Sequence, residues 1–518
     1  MKRALLAAIV LVAAPGAGAV SAQTFATDDP VLRSIWTEAM DNSEVERLAQ
    51  VLLDSVGPRL TGAPGMQAAH DWAVRQYGAW GIEARNEQYG TWRGWDRGIT
   101  HIDLIEPRVR SLEGMMLAWS PGTNGRNVEG SVVILPEFSN PAAFRAWLPQ
   151  VRGRFVLTSY AQQSCRPLRQ FEEFGMEGAL EKAREERQAG MRAWNARIQS
   201  TGLSMNDLRL ALEGAGAAAI LQSNWSNDYG VNKIFGTNTT RTPTIDLGCE
   251  DYGLVYRLAE NNQSPKLRLR ADARFTGEQP TFNTIATIPG SEKPNEYILL
   301  SAHFDSWDGG SGATDNASGT VLMMDVMRIL KKVYPNPKRT ILVGHWGGEE
   351  QGLNGSRAFA ADHPEIVQGL HASFNQDNGT GRVVNISMQG FVDAGEYFGR
   401  WMGRIPSEVT QHVELGIPGM PGGGGSDYAS FVCAGAPAFN LSALNWGYGT
   451  YTWHTNRDTY DKLVFDDIRN NVALAAMLVY LADEEPEKIG RTQRMLPLTN
   501  DGQPRTWPQC RDAQRAAP

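Results

Sequence analysis

Apolar positions fall into two textures along the chain. In the second half, compact apolar runs stand out: YILLSA at 297–302, TILVGHW at 340–346, VVNISM at 383–388 and APAFNLS at 436–442. Runs of this length between polar or turn-forming stretches predict buried strands. Between them the spacing changes. Leu322, Val326, Ile329 and Val333 recur at intervals of four, three and four, the apolar stripe of a helix packed on a sheet. Strands alternating with helices from Thr281 onward predict an α/β core with a mixed, mostly parallel sheet.

The first half reads differently. Ser43 to Leu53 predicts a helix, with Ser43 and Glu46 spaced as a capping box. The turn-rich GPRLTGAPG follows, then a helix from Gln67 to Trp80 stopped by Gly81, then a strand from Ile82 to Tyr89. From about Asn127 to Phe275 the β-type runs are short: SVVILP, GRFVLTS, AAAILQS and KLRLRADARF. A charged helical stretch, Glu177 to Gln199, sits among them and reads as a solvated face. This region has the texture of an inserted module. The expected division is a leader over 1–22, core segments over 23–125 and 276–495, an insertion over 126–275 and a tail over 496–518.

Composition narrows the function classes. A chain of 518 residues exceeds one ordinary domain, and 42% hydrophobic residues can fill real cores. A net charge of −8 offers no basic footprint, so no nucleic-acid partner is expected. Lys2 and Arg3 precede an apolar run from Ala4 to Ala14, and small residues follow to Val20-Ser21-Ala22. That pattern predicts a secretory signal peptide cleaved after Ala22. The run is too short to span a bilayer comfortably, no cysteine follows it to carry a lipid, and no later stretch reads as a span. The expectation is an exported, periplasmic or extracellular protein without stable membrane insertion. Export permits disulfides. Cys165 and Cys249 fall in one region and are candidates to pair; Cys433, in FVCAGAPAF, reads as a buried free thiol; Cys510 lies in the polar tail. No Cys-x-x-Cys spacing supports a thiolate metal site.

In open α/β sheets, sites form beyond the carboxyl ends of strands. The ligand-type residues in that position are His303 and Asp305 after YILLSA, Glu349 and Glu350 after TILVGHWGG, and Asp377 after LHASFNQ. His454 follows an aromatic loop beyond APAFNLS, and Asp315 opens the helix that carries Leu322. Each has an ordinary reading alone: a helix cap for Asp315, a turn for Asp377-Asn378-Gly379, a solvated helix start for Glu349-Glu350. Their joint order at the strand ends of one sheet points to a metal site. Nitrogen and oxygen donors without thiolate suit zinc, with manganese or cobalt as alternatives. One metal needs only part of the set; two metals sharing a carboxylate use five residues and leave one as a base. His70, His101, His345, His363, His371 and His412 lack this context, although His345, inside a strand, can support the site by packing.

The segments HFDSWDGGSGATDNASG, PKRTILVGHWGGEEQGLNGS, QDNGTG and WHTNRDT together resemble the di-zinc exopeptidases of the bacterial leucyl aminopeptidase and glutamate carboxypeptidase type. The HFDSWD form, LLDSVGPRLTG, WRGWDRG and IEPRV are most similar to the carboxypeptidase Q branch of that family. The resemblance implies a three-layer zinc-exopeptidase core with an inserted β-rich protease-associated domain. It implies two zinc ions, with Asp315 bridging, His303 and Asp377 on one metal, and Glu350 and His454 on the other. It implies Glu349 as general base and Asp305 as the residue orienting His303. It also implies a cis peptide at Asp315-Asn316 and, by analogy, a homodimer.

The substrate side is less determined. In glutamate carboxypeptidase relatives a Tyr precedes the second metal histidine; here that residue is Trp453, with Tyr451 or a backbone amide as substitutes for the oxyanion role. The loop PGMPGGGGSDYASF, 418–431, resembles a specificity loop, and Asp427 within it faces a substrate amine or caps a helix. Trp307, Trp346, Trp446, Tyr448 and Tyr451 are candidates to line a pocket. No arginine pair that would select an acidic C-terminal residue is evident. The reading is therefore an aminopeptidase or dipeptidase acting on short unblocked peptides. The alternatives are a carboxypeptidase or amidase on the same site, a single-zinc glutaminyl cyclase-like transferase, and a binding protein that has lost catalysis.

Overall fold

The computed structural model describes residues 27–517. The leader expected over 1–22 lies outside the described residues. In chain order the strands begin with β1 (Glu83–Glu106), β2 (Arg110–Leu112), β3 (Gly114–Met116), β4 (Val128–Ile134), β5 (Phe155–Leu157), β6 (Ala219–Gln222) and β7 (Thr244–Leu247). They continue as β8 (Lys266–Ile288), β9 (Lys293–His303), β10 (Arg339–Trp346), β11 (Leu370–Asn375), β12 (Val383–Ser387), β13 (Glu414–Gly416) and β14 (Ala438–Ala443). One sheet runs β13-β12-β14-β11-β9-β10-β8-β4-β5-β6-β7-β3, with β1 along β8 and β2 along β1.

The four apolar runs of the second half are β9, β10, β12 and β14, as their texture predicts. β10, β9, β11 and β14 are mutually parallel neighbours, and β8 and β12 flank them antiparallel. All eight residues of β10 and all six of β11 are buried. A strand buried on both faces requires helices on both faces, which gives the helix–sheet–helix layering. The helix Ser318–Val333 is buried along its whole length from Ser318 to Leu330, wider than the single stripe in the sequence. It packs on β9 and β10 and is also covered by the helices Pro30–Met40 and Phe465–Glu484. No helix among the described residues is long and apolar enough to cross a membrane.

Several expectations are corrected. The strand expected over 82–89 runs to Glu106, because β8 pairs with it from Thr287 down to Lys266. This ribbon joins the two halves of the molecule, so β8 passes through residue 275 unbroken. The register shifts between Gly94 and Trp95, leaving Thr276 as the extra residue of a bulge next to Gly277. The inserted region is α/β rather than β-rich: β4, β5, β6 and β7 are parallel neighbours, and helices at Ala179–Ser200, Met205–Gly214 and Cys249–Glu260 outweigh them. The helix at 45–50 loosens into wider turns over Val51–Val56 and has no capping box. Ser43 Oγ donates instead to the buried Asp325 at 2.7 Å, and Glu46 pairs with Arg469.

Cys165 and Cys249 are bridged. Cys433 is not free but bridged to Cys510. The tail explains this. It folds back on the core: Trp507 Nε1 donates to the Val432 carbonyl at 2.8 Å, and the Gln514 amide donates to Asn354 Oδ1 at 2.9 Å. Those contacts bring Cys510 within bonding reach of Cys433.

Candidate metal centre

The parallel register sets Trp346 of β10 opposite His303 of β9, so the two strands end together. β11 ends at Asn375, two residues before Asp377. Their loops converge beyond the carboxyl edge of the sheet, where crossover geometry leaves room for a site. Two groups of ligand atoms form there, each spanning no more than 4.8 Å: His303, Asp315 and Asp377; and Asp315, Glu350 and His454. His303 Nε2 stands 3.0 Å from Asp377 Oδ1 and 3.3 Å from Asp315 Oδ1. His454 Nε2 stands 2.8 Å from Glu350 Oε2 and 3.3 Å from Asp315 Oδ2. Asp315 belongs to both groups, and the peptide after it, to Asn316, is cis.

The donors fit divalent metal. Asp315 Oδ2 and Glu350 Oε1 are buried without a hydrogen-bond partner among the described residues. A buried carboxylate oxygen is normally satisfied, so these two leave a need that a cation meets. Burial pushes the carboxyls of Glu349 and Glu350 well above the usual range, and neighbouring carboxylates add to the effect while His303 opposes it. Positive charge at the centre relieves that repulsion. Imidazole and carboxylate without thiolate is a donor set suited to zinc.

Residues around the ligands hold them in place. His303 Nδ1 donates to the backbone carbonyl of Asp305 at 3.0 Å, which presents Nε2 to the centre. The Asp305 carboxylate is 3.6 Å from the same ring. It accepts from the backbone amides of Glu349 and Glu350, each at 3.1 Å. Asp305 thus fixes the turn that carries Glu349 and Glu350, besides standing against the His303 ring. Asp458, absent from the sequence-based candidates, accepts from the amides of Thr314 at 2.8 Å and Asp315 at 3.0 Å. Its position four residues after His454 was the available signal. Arg59, from the turn GPRLTGAPG, is fully buried and donates to the carbonyls of Phe304, Gly57, Ser311 and Gly312 at 2.6–3.2 Å. Burial lowers its pKa to about 10, while Asp305, Asp458, Asp315 and Glu350 favour its charge.

Residues 283–479 match the model of peptidase family M28. The chain is similar to that family over this segment, which holds His303, Asp315, Glu350, Asp377 and His454. It is 25% identical to carboxypeptidase Q of Homo sapiens over 87% of each chain. Among solved structures, the M28 peptidase precursor of Shewanella amazonensis shares the fold at TM-score 0.65 and 22% identity, over 90% of this chain and 98% of that one. A zinc aminopeptidase of Bacillus subtilis shares it at TM-score 0.54 and 17% identity, over 84% and 93%.

Glu349 lies among His303, Asp377, Asp427 and Glu350. Asp427 is fully buried behind that cluster, and burial raises its carboxyl to about 7. Trp453 stacks on the His454 ring, with centroids 4.0 Å apart, and Lys233 Nζ sits 3.9 Å above the Trp453 ring. Lys233 donates to the carbonyls of Gly449 and Trp453 at 3.1 and 3.3 Å. It comes from the inserted region, whose Ile234 amide donates to the His454 carbonyl at 2.9 Å. Tyr451 turns away: its hydroxyl accepts from Arg169. Tyr448, one turn earlier, lies against Asp315 and helps lower that carboxyl. Tyr448, Tyr451 and Trp446 line a cavity of 510 Å3 that reaches Thr314 and Gly379, beside the ligands. Trp346 is core, donating to Ser301 Oγ at 2.8 Å. Trp307 packs 6.2 Å from the His454 ring.

Proposed function

We propose that this peptidase is an exported exopeptidase holding two zinc ions, cutting short unblocked peptides as an aminopeptidase or dipeptidase. The observation that carries this is the sharing of Asp315 between two ligand groups with Glu349 beside them. The two disulfides agree with an oxidising compartment. Bound zinc supplies an acidified water and polarises the scissile carbonyl. The chain's residues do the rest. Glu349 takes the water proton on its carboxylate and returns it to the leaving amine. Tyr448 offers a hydroxyl where negative charge develops, the role that Trp453 lacks the chemistry to fill. Trp453 instead fixes the plane of the His454 ring and seats Lys233. The inserted region, read as a protease-associated domain, walls the cleft through Lys233 and through Phe235, whose ring is 5.2 Å from that of His454.

A carboxypeptidase is the second reading, and Lys233 favours it. Its ammonium has two carbonyl partners and no carboxylate, leaving a donor for the free carboxylate at a peptide end. The test is turnover of free, N-blocked and C-amidated dipeptides by zinc-loaded and chelated protein. Chelator-sensitive cleavage that needs a free amine supports the first reading; cleavage that tolerates N-blocking but needs the free carboxylate supports the second. One zinc per chain and no cleavage of any peptide would overturn both.

A further inference from the structure

A cavity of about 330 Å3 lies against the turn that presents Glu349. Gly347 and Gly348, the two residues before Glu349, line it, and no candidate metal ligand does. Much of its wall is apolar, from Ala63, Pro64, Met66, Pro280 and Phe282. His70, from the helix Pro64–Ala79, also lines it and is 1% exposed. The hydrogen bonds beyond His70 fix its tautomer. Asn86 Nδ2 donates to the Asp71 carboxylate at 3.2 Å, which leaves Asn86 Oδ1 to accept. Thr284 Oγ1 donates its one proton to that oxygen at 2.8 Å. The same Oγ1 can then only accept from His70 Nδ1, 2.7 Å away. The ring proton is therefore on Nδ1, and Nε2 carries a bare lone pair. Nε2 is buried and has no hydrogen-bond partner among the described residues. Burial, reinforced by His345, lowers the pKa of the ring to about 3, so Nε2 stays unprotonated near neutral pH.

We propose that this cavity binds a small neutral molecule of the phenol class, with an apolar ring against the wall and its hydroxyl donating to His70 Nε2. A buried acceptor without a donor is costly, and the ligand's hydroxyl removes that cost. An apolar cavity of about 150 Å3 already holds benzene, so one of about 330 Å3 has room for a substituted ring. A neutral imidazole and an apolar wall offer no counter-charge, which disfavours an ion. Thr61, also in the wall, approaches Asp305 Oδ2 with its hydroxyl at 3.4 Å. The occupant thus touches the turn carrying Glu349 without entering the metal cleft, and its binding needs neither zinc nor peptide turnover. The competing occupant is a water shared with His345, which stands opposite Thr284 in the sheet. Tyr77 holds His345 Nε2 at 2.7 Å, and His345 Nδ1 has no partner among the described residues.

Two probes of nearly equal shape test this by calorimetry: p-cresol, which donates a hydrogen bond, and 4-methylanisole, which cannot. Each is titrated into zinc-loaded and chelated protein. The expected result is saturable binding of p-cresol, at least about tenfold tighter than 4-methylanisole and unchanged by chelation. Nitrogen NMR of the unsubstituted protein supplies a second readout. The His70 Nε2 resonance should be that of an unprotonated nitrogen and should move with p-cresol but not with 4-methylanisole. His70→Phe keeps a ring and removes the acceptor, so it should bring the two affinities together; if that variant does not fold, the nitrogen resonance decides. Equal affinities in the unsubstituted protein, or a preference that survives in His70→Phe, overturns the site. So does a protonated Nε2 in the free protein. No saturable binding with an unmoved resonance assigns the cavity to water and also overturns it. Binding lost on chelation places the phenol on the metals and overturns it as well.

Discussion

Two parallel arrays stand in one sheet. In β10 and β11 every residue is buried, as is β9 from Ile298 to His303, and acidic residues gather beyond the ends of these strands. In β4, β5, β6 and β7 the strands are three to seven residues long, and the 22-residue helix over them buries only Ala183, Trp194 and Ile198. Both arrays bury an acid. In the inserted array Asp246 is satisfied: Gln222 Nε2 and the Asn224 amide donate at 3.0 Å each, and Asn232 donates to the other oxygen. In the core array Asp315 and Glu350 each keep an orphaned oxygen. A satisfied buried acid is part of the scaffold; an orphaned one marks where a cation belongs.

Five variants test that contrast, in order of expected effect. Glu349→Gln should lower turnover by about 10²–10⁴-fold while zinc content stays at two per chain. Activity within tenfold of wild type would remove Glu349 as the base. Arg59→Met should lower stability by about 3–5 kcal/mol, because it strips the fully buried hydrogen bonds that tie the 304–312 loop and leaves the nearby acids without their cation. Urea unfolding measures this, and a loss below about 1 kcal/mol would mean the acids need no such partner.

Removing the Cys433–Cys510 bridge by a double Ser substitution should cost about 2–4 kcal/mol of stability, read by urea unfolding. Removing Cys165–Cys249 should cost a similar amount without changing zinc content. A loss below about 1 kcal/mol for the Cys433–Cys510 variant would mean that the Trp507 and Gln514 contacts hold the tail without the bridge.

The smallest effect is at Asp246. Burial raises its carboxyl to about 7, with hydrogen bonds from Gln222, Asn232 and Asn224 opposing. A carboxyl raised on folding binds more protons in the folded state. Its contribution is full below the unfolded value near 4 and is lost as pH rises towards 7. Asp246→Asn should flatten the fall in stability between about pH 4 and 7, a change on the order of 1–3 kcal/mol, and leave zinc bound. Identical pH profiles for the two proteins would show that Asp246 does not titrate in this range.

Much of the core and of the ligand set was legible in the sequence, for local reasons. His303, Glu349, Glu350 and Asp377 each follow an apolar run that could only be a buried strand, so the strand ends located them. Asp315 begins a helix whose apolar stripe was visible. What the sequence left open depends on distant partners. Tyr448 and Tyr451 are equivalent along the chain, and packing alone turned one towards Asp315 and the other towards Arg169. The span of β1 was fixed by β8, on the far side of the insertion. Cys433 looked like a core thiol until the tail brought Cys510 to it. The sequence by itself determined the donor types and the strand ends that carry them, because strand burial and donor type are properties of short segments. Only the tertiary structure decided which tyrosine faces Asp315 and which cysteines pair, because those depend on contacts between segments far apart in the chain.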